Sequence, residues 1–171
     1  MMPEMAAHGV QEVYRALTFP SEWVLDRELK FDKPICDPTL LQHEGRWWLF
    51  AATAPTPDSD YIELSLYHSS TPLGPWQPHP MNPVLSDARS ARPAGRLFRT
   101  GGALVRPAQD GTPVYGSSIV LKRVVRLTEE EYAEEVIGRF DPLWRDDLVG
   151  THTINAAGAV TAFDIRVRRR R

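Results

Sequence analysis

Cysteine is nearly absent from this chain of 171 residues. Cys36 stands alone, so no disulfide can form within the chain, and a reducing compartment is compatible with that. No apolar run approaches the roughly 18 to 20 residues of a membrane-spanning helix. The first fifteen residues, MMPEMAAHGVQEVYR, lack the basic start and apolar stretch of a signal peptide, so the expected location is cytoplasmic. Net charge is only −2, which gives no global field toward nucleic acid or membrane. The local exception is Arg166-Val167-Arg168-Arg169-Arg170-Arg171, whose last four residues read as a solvated basic tail over 168–171. There is no glycine loop of the phosphate-cradling kind, so no cofactor is expected. His43 and His68 stand at no metal-ligand spacing, so no metal is expected either.

What is present is punctuation. Hydrophobic residues make up 42% and charged residues 25%, ordinary for a globular domain with a sizeable core. Fifteen prolines and eleven glycines interrupt the chain often, which favours many short strands over a few long helices. Residues 1–12 read as a disordered leader. Strands are expected at 13–16, closed by Pro20, and at 23–25. The first clear unit opens at Asp37-Pro38: a strand over 39–42, a turn at His43-Glu44-Gly45, and a second strand over 46–52. Trp47, Trp48, Leu49 and Phe50 follow one another without polar alternation, which calls for burial on both faces. A third strand over 61–69 alternates with period two, and proline-bearing 76–79 suits an edge. The layout repeats loosely at 95–99, 103–106, 114–126 and 135–140. Thr128-Glu129-Glu130-Glu131 has capping-box spacing and predicts one helical turn. Residues 151–155 and 160–167 pair around Ala156-Ala157-Gly158.

These segments resemble a known family. They are Tyr14-Arg15-Ala16 with Phe19-Pro20 and Trp23; Asp37-Pro38-Thr39 with the run 43–50; Gly74-Pro75-Trp76, His79-Pro80 and Asn82-Pro83-Val84; Ala91-Arg92-Pro93-Ala94-Gly95; and Arg106-Pro107 with Gln109-Asp110 and Tyr115-Gly116. They resemble the N-terminal domain of glucosamine inositolphosphorylceramide transferases and its bacterial relatives. That domain is similar to the five-bladed propellers of glycoside hydrolase families 43 and 32. The resemblance covers about residues 13–165. It implies an all-β fold and a partial five-bladed β-propeller, about two and a half blades of four-stranded antiparallel sheet over 13–167. The family's earlier, acidic blades have no counterpart here, so the chain is expected to be truncated. His152 stands where relatives more often carry a double histidine, and the resemblance gives it no role.

Glycoside cleavage uses two carboxyl groups. Asp37, at the opening of an inner strand, and Asp110 are the candidate catalytic residues. The alternative for each is a turn carboxylate, Asp37 before Pro38 and Asp110 before Gly111. Arg92, Arg106, Gln109 and Tyr115 are the candidate substrate-binding residues. Arginine offers a planar fork of donors, and the proline after Arg92 and Arg106 extends the backbone there. Surface ion pairs are the alternative for both arginines. Asp37, Arg92 and Arg106 are expected to converge on one concave face. Trp47, Trp48, Trp76 and Tyr115 are read first as core and second as stacking surfaces for sugar rings. Glu129, Glu130, Glu131, Glu134 and Glu135 read as a solvated turn.

The favoured function is a carbohydrate-binding or scaffold module of a sugar-modifying system of glycosyl- or formyl-transfer type. The expected partners are a carbohydrate or sugar-nucleotide-linked ligand, and a polypeptide supplying further blades or a formyltransferase-like domain; no nucleic acid or membrane span is expected. The alternatives are a glycosidase-like or glycosyltransferase-associated enzyme domain and an inactive remnant. In an open stack of blades Trp47, Trp48, Phe50, Leu64 and Leu66 would be too bulky to leave wet, at roughly 1.5 to 3 kcal/mol each. An oligomer, a partner or poor solubility is expected on that ground.

Overall fold

The computed structural model describes residues 1–5, 10–56 and 58–168, and every regular element in them is a β-strand. Strands β1 (Gln11–Thr18) and β2 (Glu22–Leu29) form an antiparallel hairpin. Met1 exchanges two bonds with Tyr14: the amino terminus donates to its carbonyl at 2.8 Å, and the Tyr14 N–H donates back at 2.8 Å. The start of the expected leader is thus tied to β1, which itself begins inside the leader; residues 6–9 lie outside the described residues. Of the expected basic tail, Arg168 donates its backbone N–H to Asp147, and 169–171 lie outside the described residues.

The first large sheet runs β3 (Cys36–His43), β4 (Arg46–Thr53), β5 (Glu63–Ser69), and its edge is broken into β6 (Gln77–Pro78) and β7 (Leu85–Ser86). Prolines at 78, 80 and 83 explain the break, since each removes a ladder donor. The second sheet runs β8 (Phe98–Thr100), β9 (Ala103–Asp110), β10 (Ser118–Leu127) and β11 (Tyr132–Phe140) in the same meander. Both have the four-strand layout of a propeller blade. After them, β12 (Leu148–Gly150) pairs with β15 (Arg166–Val167) around the hairpin of β13 (Ile154–Ala157) and β14 (Val160–Phe163). The all-β expectation of two sheets and a terminal hairpin stands.

The run 47–50 is buried as expected, on two different faces. Trp48 and Phe50 pack with Leu64 and Leu66 against Leu97, just before β8, and against Leu104, Leu127 and Tyr132 of the second sheet. Leu49 and Ala51 face the other way, with Ile35 and Tyr67 under Met2, Phe31 and Trp76. Four of the five residues expected to be wet at an open blade face are therefore shielded here, because the second sheet and the first residues cover both sides of the first. Only Trp47 is half-buried.

The helical turn expected at 128–131 is absent. Thr128 Oγ1 does accept the Glu130 and Glu131 N–H groups, at 3.3 and 2.9 Å. Those bonds close the β10–β11 hairpin instead, where the Thr128 N–H also donates to Glu131 at 2.9 Å. Capping chemistry serves a turn as well as a helix. Glu134 departs from the solvated-turn reading too: it belongs to β11, and its side chain is 5% exposed.

Candidate functional site

Asp37 is the second residue of β3, and an irregularity in the β3–β4 register falls between Cys36 and Thr39. Its φ of 52° is in the left-handed region, which carries strain for a residue with a Cβ. Such a bulge re-aims a side chain away from the pleat. Asp37 Oδ2 receives Arg92 Nε at 2.6 Å and Gln109 Nε2 at 3.1 Å. Gln109 Nε2 also donates to Pro93 O at 2.7 Å. Both neighbours of that nitrogen are acceptors, which fixes the orientation of the amide. Gln109 is 2% exposed, and its buried Oε1 has no partner among the described residues.

Arg92 uses only its Nε on Asp37, and its two Nη groups donate to no described residue. Burial disfavours its charge, but the Asp37 carboxylate more than offsets this and holds the guanidinium above its ordinary value. The Tyr115 ring lies 5.1 Å from the Arg92 guanidinium carbon, in cation–π contact. Arg92, Gln109 and Tyr115 line a cavity of about 340 Å³ with Tyr61, Ala88 and Val114. Asp37 lines a neighbouring one of about 210 Å³ with Glu4, Thr39 and Thr153. Four of the six residues expected at the site therefore form one connected group, three of them on one cavity and Asp37 on another.

Arg106 and Asp110 do not join it. Arg106 is fully buried: Nε and Nη2 hold the two Glu134 oxygens at 2.8 and 2.7 Å, and Nη1 and Nη2 reach the carbonyls of Ala91 and Ser90. Lys122 Nζ and the Tyr132 hydroxyl meet Glu134 as well, at 2.8 and 2.6 Å. The convergence expected of Arg106 fails on strand parity: residues 106 and 109 are an odd number apart, so they leave opposite faces of β9. Arg106 instead anchors the backbone immediately before Arg92. Asp110 Oδ1 accepts the Thr112 N–H and hydroxyl, and Oδ2 takes Arg139 at 2.8 Å. Burial works against its charge, but these bonds win and hold the carboxyl below its usual range. It is a turn carboxylate, the alternative open from the sequence. Of the aromatic candidates, Trp48 is core and Tyr115 alone presents a ring beside the polar cluster.

The structure adds Glu4 and Asp164, which the sequence reading left out. Glu4 Oε2 accepts the Asp37 N–H at 2.6 Å. Glu4, Cys36 and Asp37 offer donor atoms within 4.8 Å of one another, a candidate cation set. The chemistry fits poorly: burial, with the Asp37 charge, pushes the Cys36 thiol up to about 12, and Asp37 already faces a guanidinium. His152 packs its ring against Tyr115, centroids 5.2 Å apart, and its Nδ1 bonds Asp164. Asp164 also accepts the N–H groups of His152 and Thr153. Burial opposes its charge, and these bonds outweigh burial to hold it below the ordinary range.

Comparison with known proteins places this chain in a family. The family described as glucosamine inositolphosphorylceramide transferase 1, N-terminal, matches residues 1–141. The chain belongs to that family. Its members include glucosamine inositolphosphorylceramide transferase 1 of Oryza sativa subsp. japonica, 42% identical over 137 residues. The protein of the same name from Arabidopsis thaliana is 38% identical over 144 residues. Each alignment covers 78% of this chain but only 18% of the relative, so the chain spans about a fifth of their length. Among solved structures, Bacteroides ovatus Xyloglucan PUL GH43B is similar with a TM-score of 0.49 and 15% identity, over 91% of this chain and 33% of that one. A family 43 arabinoxylan arabinofuranohydrolase from Bacillus subtilis has a TM-score of 0.46 and 13% identity, over 84% and 35%. The family expected from the sequence is the one found. The match ends at residue 141, and the His152–Asp164 pair lies outside the matched residues.

Proposed function

We propose that the chain is a carbohydrate-binding module of a sugar-modifying system of glycosyl-transfer type, with Asp37, Arg92, Gln109 and Tyr115 as its binding residues. One observation carries the reading: Gln109, which lines the same cavity as Arg92 and Tyr115, is almost fully buried and its Oε1 bonds no described residue. A buried acceptor without a bond costs about 1 to 3 kcal/mol, and a hydroxyl from a ligand relieves it. Arg92 Nη groups supply donors to complement it, and Tyr115 supplies a ring face. Donors, acceptors and a ring face together suit a sugar, whose hydroxyls both give and take. The relatives are named for glucosamine transfer, and the transfer chemistry itself is assigned to a partner, either a polypeptide with further blades or a formyltransferase-like domain.

The glycosidase-like alternative has one observation in its favour. The Glu4 and Asp37 carboxylates approach within 4.8 Å, near the roughly 5 Å spacing of retaining enzymes. Asp37 is nonetheless committed to a guanidinium and an amide, which suits holding a sugar more than attacking it. Titration calorimetry of the purified chain against a panel of neutral and amino monosaccharides tests the proposal. Saturable binding of at least one, weakened about tenfold by Gln109→Leu, is expected. No saturable binding, or binding indifferent to that change, contradicts it. Turnover of an aryl glycoside would favour the enzyme instead.

A further inference from the structure

Another concavity lies beside the Asp37 cluster. It is a cleft of about 830 Å³ between β3, the segment entering β8, and β13. Fourteen residues line it; two are arginines, Arg96 and Arg99, and none is acidic. That contrasts with a chain of net charge −2. The arginines are unusual in a second way. Ten arginines elsewhere in the described residues hold a carboxylate, while Arg166, near the C-terminus, holds two backbone carbonyls instead. The Arg96 side chain bonds no described residue, and Arg99 reaches only His43 Nδ1, which accepts from its Nη2 at 2.8 Å. An imidazole acceptor leaves the guanidinium charge uncompensated. Around these two charges stand Thr39, Gln42 and Asn155, neutral groups able to donate, and the half-buried Trp47.

A concave wall carrying charge of one sign focuses its field and raises the local concentration of the opposite ion. A guanidinium fork fits phosphate oxygens two at a time. Pro38, Thr39 and Gly95 line both this cleft and the smaller cavity that Asp37 faces, so the two are continuous along the start of β3. We propose that the cleft is an anion subsite that takes the phosphate of a phosphorylated sugar, with Arg96 and Arg99 as its donors. The sugar half of that ligand rests on the carbohydrate reading above; the phosphate half does not. Sugar nucleotides and glycolipid headgroups carry the same phosphoester chemistry.

The experiment is calorimetry at low ionic strength with four probes: N-acetylglucosamine, its 1-phosphate, UDP-N-acetylglucosamine and inorganic pyrophosphate. The 1-phosphate is expected to bind at least about tenfold tighter than the neutral sugar, and pyrophosphate to bind by itself. Both gains are expected to weaken in about 0.5 M salt. They are also expected to vanish in the Arg96→Gln, Arg99→Gln double variant, which keeps its melting temperature because both side chains are exposed. Sedimentation with phosphatidylinositol vesicles, reversed by pyrophosphate, would name a lipid headgroup as the source of the phosphate. Binding of UDP-N-acetylglucosamine without vesicle capture would name a nucleotide. Equal affinity for the sugar and its phosphate with no pyrophosphate binding overturns the subsite, as does a phosphate gain that survives in the double variant. Pyrophosphate binding with no sugar binding would keep the subsite and overturn the carbohydrate reading.

Discussion

Arg92-Pro93 and Arg106-Pro107 read alike in the sequence and end in opposite surroundings. Arg106 is enclosed, and its Nε, Nη1 and Nη2 all find partners in Glu134 and two backbone carbonyls. Arg92 stands at a cavity wall, gives Asp37 one bond from Nε, and keeps its outer donors free. Proline after each residue extends the backbone but does not choose the face; strand parity does that. What separates a structural charge from a binding charge here is how many of its hydrogen bonds the protein itself supplies. A saturated guanidinium holds the fold, and an unsaturated one has capacity left for a ligand.

The strongest way to break this comparison is to remove each arginine in turn. Arg106→Met takes the donor from the Ala91 and Ser90 carbonyls and leaves Glu134 only Lys122 and Tyr132 as partners, and is expected to destabilise the chain by about 3 kcal/mol, read by urea unfolding. Arg92→Ala is expected to cost less than about 1 kcal/mol in the same experiment, since its pair with Asp37 is partly solvated. Equal losses would erase the distinction.

Acid sharpens it. Burial works against the Glu134 charge, and Arg106 outweighs that, leaving the carboxyl below its ordinary range. A group depressed in the folded state adds stability above its unfolded pKa and loses it as pH falls through the folded value. The melting temperature of the parent chain should therefore fall more steeply below about pH 4.5 than that of Glu134→Gln. Parallel curves would show that the network contributes little.

The smallest expected effect is at Tyr115, half exposed over Arg92. Tyr115→Ala is expected to weaken sugar binding only a few-fold, about 0.5–1 kcal/mol, without changing stability. A loss as large as that of Gln109→Leu would make the ring, rather than the polar cluster, the main contact.

Much of the fold was legible because proline, glycine and period-two alternation are local signals. The two sheets, the turn at Gly45 and the hairpin at Gly158 all follow from them. The site was half legible. Asp37, Arg92, Gln109 and Tyr115 stood in quotable motifs, but parity assigned Arg106 elsewhere. Glu4 gave no signal, because its bond to Asp37 spans 33 residues and nothing local marks it. Asp164 was equally silent: its partner His152 is twelve residues away across the terminal hairpin. Thr128 carried the right chemistry for the wrong element, since the same hydroxyl-to-N–H bonds close a hairpin and cap a helix.

Titration of the isotope-labelled chain with the best-bound sugar of the panel, followed by NMR of side-chain nitrogens, tests the central claim most directly. The account predicts that the Arg92 Nε–H and the Gln109 amide shift most, and that Arg106 Nε–H, its hydrogen bonds already complete, stays where it is. A ligand that bound while leaving Arg92 and Gln109 unmoved would contradict it.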